Sequence, residues 1–251
     1  MTGVCWPQGY ARHVLAQVDS TNAQAARIWA DLAGPTWIMA QRQTAAKGRR
    51  GRAWEMPEGN FAASLVLPVN QSAEQVALRS FVTSLALFDA LVAVTGRAES
   101  FALKWPNDVL LNGGKLAGIL LESAGHGAGA SHVIIGIGVN LVAAPGAAEV
   151  EAGALRPVSV LSETGVDVGQ EAFFDHLAAA YAHWEHQFTS FGFAPIRQAW
   201  LTRAARLGEV ITARTGTAEI TGTFETVDER GQLVLKTRQG RQAIPAADVF
   251  F

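Results

Sequence analysis

Hydrophobic and polar positions along the chain follow two rhythms, one near 3.6 residues and one near two, and the changes of rhythm mark the elements. Asp19-Ser20-Thr21-Asn22 is a dense group of capping residues; the small and apolar positions after it predict a helix through Leu32, stopped by Gly34-Pro35. A second helix is predicted from Ser72, where Gln75 completes a capping box. Val76, Leu78, Phe81, Val82, Leu85, Phe88, Leu91 and Val92 then recur at helical spacing up to Gly96. Glu171–Phe188 and Pro195–Arg206 read as a third and a fourth. Between them lie strand-like pieces: Ala63–Val69, Phe101–Trp105, a hairpin of Val109–Leu111 and Leu116–Glu122 around Asn112-Gly113-Gly114, and His132–Leu141. The Ala/Gly-rich stretches Ser123–Ser131 and Ala143–Gly153 offer little to bury and predict surface loops.

After Leu207-Gly208 only the period-two rhythm remains, in Glu209–Thr215, Ala218–Val227, Gln232–Thr237 and Arg241–Ile244. The expected fold is α+β: a mixed β-sheet with helices over 1–206, and a small C-terminal β-barrel over 207–251. About 45 residues are too few for a confident independent fold, so the barrel should dock on the larger unit.

Composition narrows the function. Twenty basic against twenty-two acidic residues give a net charge of −2, which disfavours a protein that coats nucleic acid or an anionic membrane. The single cysteine, Cys5, has no internal partner, and the N-terminus lacks the pattern of a signal peptide, so a cytoplasmic protein is expected. The apolar runs are strand-sized and interrupted, so no membrane span is predicted. A homodimer is compatible with the sequence but not specified by it; His132–Leu141 would offer a pairing edge.

Three segments concentrate chemistry. Lys47-Gly48-Arg49-Arg50-Gly51-Arg52 places four cations in six residues among glycines, a mobile loop able to wrap phosphate or carboxylate, or simply a solvated basic loop. Lys104-Trp105-Pro106-Asn107-Asp108 follows a predicted strand, and proline holds Trp105 extended; a bend with its own Asx hydrogen bonds is the plainer reading. Lys115 heads an apolar strand after a tight turn, placed either to meet a growing negative charge or to end a strand in water. Gly136-Ile-Gly138-Val-Asn140-Leu141 has no third glycine and no following helix, so it is no dinucleotide fingerprint. Gly113-Gly114-Lys115-Leu116 is likewise no P-loop. His126, His132, His183 and His186 lack metal-ligand spacing, and Ser20 and Ser64 lack a nucleophile elbow.

Taken in order, Asp19–Asn22, Gln43 with Gly48–Trp54, Lys104–Asp108, Lys115–Glu122 and Gly136–Asn140 closely resemble the motif series of the biotin protein ligases. The resemblance runs over residues 19–141, and the small C-terminal β-domain fits it too. It implies a class II synthetase-like catalytic domain with an SH3-like barrel, in the short form without a DNA-binding repressor arm. The implied activity joins biotin and ATP into biotinyl-5′-AMP and transfers biotin to a lysine of a biotin carboxyl carrier protein.

By resemblance, Ser20, Thr21, Asn22 and Gln43 would bind biotin's ureido ring and pocket, with Gly118. Lys47, Gly48 and Arg49 would close over biotin and its activated carboxylate. Arg50 would hold that loop and, with Arg52 and Trp54, face ATP. Lys104, Asn107 and Asp108 would shape the nucleotide side, with Asp108 near Mg²⁺, and Asn140 would reach the nucleotide. Lys115 and Arg49 would be the catalytic cations. The family's loop usually begins Gly-Arg-Gly-Arg, whereas this one reads Ala46-Lys47-Gly48-Arg49, which should restrict the backbone and lose a planar fork. The alternatives are a lipoate or octanoate transfer enzyme on the same fold, or a non-catalytic module binding biotin or nucleic acid.

Overall fold

The alternating runs pair into two sheets in a computed structural model that describes residues 4–124, 129–146 and 155–251. The larger sheet is built from β1 (Ala11–Val18), β2 (Thr36–Gln43), β3 (Phe61–Gln71), β4 (Phe101–Lys104), β5 (Asp108–Leu111), β6 (Gly114–Ala124) and β7 (Ala130–Val139). Their order is β1-β2-β3-β7-β6-β5-β4. Only β1 and β2 run parallel, so the sheet is mixed as expected. Neither was foreseen. β1 is a largely exposed edge strand carrying Arg12, His13 and Gln17, and β2 is a buried apolar run without alternation.

The helices are α1 (Thr21–Ile28), α2 (Ala73–Ala77), α3 (Arg79–Thr95), α4 (Val160–Thr164), α5 (Gln170–Phe191) and α6 (Phe193–Leu201). Side chains alternate across a strand, so Leu65 and Ile135 face one side while Val66 and Ile134 face the other. The first set joins Leu85, Phe173, Phe174 and Tyr181 of α3 and α5 in the main core. The second packs under Ala25 of α1. The same face of the sheet that carries α1 is therefore left free beyond its N-terminus.

Several boundaries differ from the reading above. The Ser72 capping box is present, but the helix breaks at Leu78 into α2 and α3. The expected Pro195–Arg206 helix stops at Leu201, because Leu103 N–H donates to Arg203 O and Ala205 N–H to Leu103 O, both at 2.8 Å. Backbone beyond α6 thus extends the sheet beside β4. β7 lies between β3 and β6, so His132–Leu141 offers no free edge for a second copy, and that expectation is overturned. Of the two expected loops, Ser123–Ala124 and Ala130–Ser131 belong to strands, and residues 125–128 and 147–154 lie outside the described residues. Ala73–Thr95 is long and apolar enough to cross a bilayer by composition, but 78% of its most apolar window is buried in the fold.

The smaller sheet holds β8 (Val210–Arg214), β9 (Glu219–Val227), β10 (Leu233–Thr237), β11 (Gly240–Ile244) and β12 (Asp248–Phe250). It is antiparallel throughout, in the order β11-β10-β9-β8-β12, with pairing that ends at β11 and β12. Trp200 packs against Phe224 across the junction, and the Trp105 indole donates to Gly231 O at 3.0 Å. Gly231 has φ +77°, and a Cβ there would lie 2.9 Å from Leu78 Cδ2. Gly231→Ala should therefore destabilise the protein by about 1–3 kcal/mol, through left-handed strain and overpacking at the junction. Calorimetry would read this as a lowered Tm; an unchanged Tm would show that the junction yields freely.

Candidate active site

Where β3, β7 and β6 pair, the free face of the sheet carries few side-chain atoms. Gly136 lies opposite Ser64, and Gly138 lies opposite both Ala62 and Gly118. A Cβ on Gly136 would sit 2.3 Å from Asn22 Oδ1, and one on Gly138 would sit 2.6 Å from the Trp54 ring. The Gly136-Ile-Gly138 segment is thus a floor on which Asn22 and Trp54 rest. Above it opens a cleft of about 650 Å³. Every residue to which the resemblance gives a site role lines it: Ser20, Thr21, Asn22, Gln43, Lys47, Gly48, Arg49, Arg50, Arg52, Trp54, Lys104, Asn107, Asp108, Lys115, Gly118 and Asn140.

At one end, the start of α1 supplies a neutral polar wall. Ser20 caps the helix by accepting from Ala23 N–H. Thr21 donates to Gln43 Oε1 from its N–H at 2.7 Å and its hydroxyl at 3.1 Å. Asn22 donates to Glu122 Oε2 at 2.6 Å and accepts from Ser64 at 2.5 Å. Ser64, judged from sequence only as a nucleophile without an elbow, instead holds Asn22 in place.

At the centre, β4 and β5 pair Lys104 with Asp108 across the Trp105-Pro106-Asn107 turn, whose Trp105–Pro106 bond is cis. Asp108 Oδ1 lies 2.8 Å from Lys115 Nζ and Oδ2 lies 3.6 Å from Lys104 Nζ. Burial opposes the charge on Asp108, but Lys115, Lys104 and Arg49 outweigh it and hold the carboxyl below its ordinary value. Burial also lowers the Lys104 ammonium, against the pull of Asp108. Arg49 donates to Asn107 Oδ1 at 3.3 Å, while Asn107 Nδ2 is anchored on Ile119 O at 2.6 Å. Three cations around one carboxylate leave a surplus of positive charge, which suits an anionic ligand. Each oxygen of Asp108 faces an ammonium. No cluster of metal-ligating side chains occurs among the described residues.

The basic loop is a small hairpin. Gly48 N–H donates to Arg52 O at 2.8 Å and Trp54 N–H to Ala46 O at 3.0 Å. Ala46 is not among the residues with positive φ, so alanine meets no left-handed strain there; the left-handed positions of the loop are Arg50 and Gly51. Asn140 lines the cleft, but its amide donates to Val158 O at 3.1 Å and accepts from Asn60 at 3.4 Å, so it braces the wall. The far wall was not foreseen: Arg214, Asp248, Val249, Phe250 and Phe251 come from the small sheet and its end. No motif marks them; Asp248 is a lone acid in an apolar strand. His132 stacks on Trp29 with centroids 3.9 Å apart, and His126 lies outside the described residues.

Comparison with known proteins gives a consistent picture. Residues 14–140 match the Biotin/lipoate A/B protein ligase family, and residues 207–251 match the Biotin protein ligase C terminal domain. The chain is 58% identical over 238 residues to a biotin–[acetyl-CoA-carboxylase] ligase of Paracoccus denitrificans, covering 95% of this chain and 99% of that one. A mutant biotin protein ligase from Aquifex aeolicus in complex with biotin superposes with a TM-score of 0.82 at 25% identity, covering 95% and 97% of the two chains. The Aquifex aeolicus ligase in complex with biotin and ATP gives 0.79 at 25% identity, with the same coverage.

Asp108 supplies a prediction of its own. A carboxyl held low in the folded state stabilises the protein above its unfolded value near 4, and that stability is lost as pH falls through the folded value. Asp108→Asn leaves two ammoniums facing an amide and should cost about 3 kcal/mol or more at pH 7. In urea unfolding, the gap between the two proteins should narrow as the pH drops below about 4. A gap independent of pH would show that the carboxylate's charge is not what stabilises the site.

Proposed function

The chain belongs to the biotin protein ligase branch of the biotin/lipoate protein ligase family, and on that premise we propose how its cleft divides the work. It is an ATP-dependent ligase that activates biotin as biotinyl-5′-AMP and transfers it to a lysine of a biotin carboxyl carrier protein. The carrying observation is that one cleft joins a neutral polar end, at α1 and Gln43, to a cationic end, at Lys115, Arg49 and the basic loop, over a floor of glycines.

Biotin's uncharged ureido ring suits the hydrogen-bonding wall of Ser20, Thr21, Asn22 and Gln43, and its carboxylate then points toward Lys115. A carboxylate oxygen attacks the α-phosphorus of ATP; the bond to the β-phosphate oxygen breaks, leaving pyrophosphate and a mixed anhydride. Lys115 and Arg49 offset the charge on the reacting oxygens, Arg50 holds the loop over the nucleotide, and Arg52 and Trp54 face the phosphates and adenine. In the second step the carrier's lysine amine attacks the anhydride carbonyl and AMP departs. Asp108, held ionised by its lysines, is a weak base; its place is to aim Lys115. Magnesium arrives with the ATP phosphates as part of the substrate. We assign catalysis to residues 1–206 and the closing wall to 207–251. The carrier of acetyl-CoA carboxylase is the proposed acceptor, in the cytoplasm, where a free Cys5 persists; DNA has no part in this reading.

Incubation with biotin, MgATP and a carrier domain should raise the carrier's intact mass by one biotinyl group, only when ATP is present. Lys115→Ala should slow the transfer about 10²–10³-fold. Transfer of octanoate or lipoate in place of biotin would move the protein to the other branch of the family.

A further inference from the structure

The basic loop packs four cations into residues 47–52, and their mutual repulsion works against the tight turn they occupy. Hydrogen bonds within the hairpin fix its stem, and the tip is closed only by Arg52 N–H donating to Arg49 O at 3.3 Å. At the tip Arg50 has φ +57°, a backbone region disfavoured for a residue with a Cβ, so a contact from outside the loop adds to what that one long turn bond can hold. That contact comes from the other sheet. Arg50 Nη1 donates to Asp248 Oδ2 at 2.6 Å, and Arg52 Nη2 donates to the same oxygen at 3.3 Å. Arg49 Nη1 lies 4.0 Å from Asp248 Oδ1.

We propose that Asp248 is the positioning residue that fastens the basic loop to the small sheet and so keeps the acyl-adenylate in the cleft. An exposed ion pair contributes little, because two mobile side chains must be ordered and water screens them. Here the acid is on a strand, pinned by the pairing of Asp248 with Arg214 and of Val249 with Ala213. Its side chain is 18% exposed, against 49% for Arg50 and 46% for Arg52. One stiff carboxylate therefore gathers three loop guanidiniums and offsets part of their repulsion. The contact closes the cleft from the side: Val249, Phe250 and Phe251 line it directly beyond Asp248. Water exclusion around a mixed anhydride then depends on an acid at the rim of the cleft, acting through the loop arginines it holds.

The proposal rests on the ligase reading, and the experiment separates the two. Enzyme loaded with labelled biotin and MgATP, without a carrier, is followed for release of biotinyl-AMP. Asp248→Asn should release it about tenfold faster, the scale of one lost charge-assisted hydrogen bond, with a Tm close to that of the unaltered protein. Asp248→Glu should recover part of the retention. Arg50→Gln should accelerate release to the same degree, and the double variant should be no faster than either single one. Unchanged release in Asp248→Asn, or accelerations that multiply in the double variant, would overturn the proposal. If the unaltered enzyme forms no adenylate, the ligase reading fails instead. The anchor is then judged by trypsin: Asp248→Asn should be cut faster at Arg49–Arg52, and equal cutting rates would refute it.

Discussion

Asn22 and Trp54 lie against the backbone of β7, and the rest of the cleft is arranged around that close approach. With side chains on Gly136 and Gly138, the start of α1 and the stem of the basic loop would both have to lift from the sheet. The interior of a sheet normally gains stability from side chains on both faces; at Gly136 and Gly138 the gain comes from one face alone, while Val66 and Ile134 bury the rest of the other face under α1. Ile135, Ile137 and Val139 point into a core of α3 and α5 that is dense with aromatic residues, and this allows the other face to stay bare. The site is a depression in the packing, made affordable by the thickness of the core beneath it.

On that floor the electrostatics are divided between two acids from two sheets. Asp108 serves Lys115 and Lys104, both rooted on strands, and fixes cations whose geometry must not change. Asp248 serves Arg50 and Arg52 on a loop that must admit ligands. The first is buried and held ionised by its neighbours; the second is at the rim. A surplus of positive charge remains after both, and it is this remainder that a triphosphate and a carboxylate would neutralise. The small sheet is thus a wall of the site rather than an appendage to it.

How much of this was legible in the sequence follows from the kind of signal each part leaves. α5 repeats apolar residues at helical spacing because one stripe is buried, α3 stands out as a long apolar run because it is buried on nearly every side over Phe81–Phe88, and the Asn112-Gly113 turn announces β5 and β6 by its chemistry. β1 left no signal, being an exposed edge with charged residues, and β2 hid because strands buried on both faces do not alternate. The site was legible for a different reason. Its residues sit in short clusters whose order matches a known series, and all of them line one cleft. What stayed hidden was long-range: Asp248 reaches the loop across 198 positions of sequence, and neither Ser64 nor Glu122 carries a local pattern that ties it to Asn22.

The departure at Ala46-Lys47 illustrates where sequence comparison and geometry part. A glycine at the start of such a loop reads as needed freedom, and its loss as stiffness. Yet Ala46 sits in an ordinary backbone region, its carbonyl accepting from Trp54 N–H, so an alanine meets no strain. The demanding positions are further on. Gly51 has φ +74° and is glycine, while Arg50 has φ +57° and is not. An alanine in place of glycine at 46 narrows the unfolded ensemble of the loop, which favours the closed hairpin rather than opposing it. Strain concentrated at Arg50 works in the opposite sense, and the contact with Asp248 offsets it. Closure of this cleft is therefore set less by the residues that begin the loop than by the acid that meets its tip.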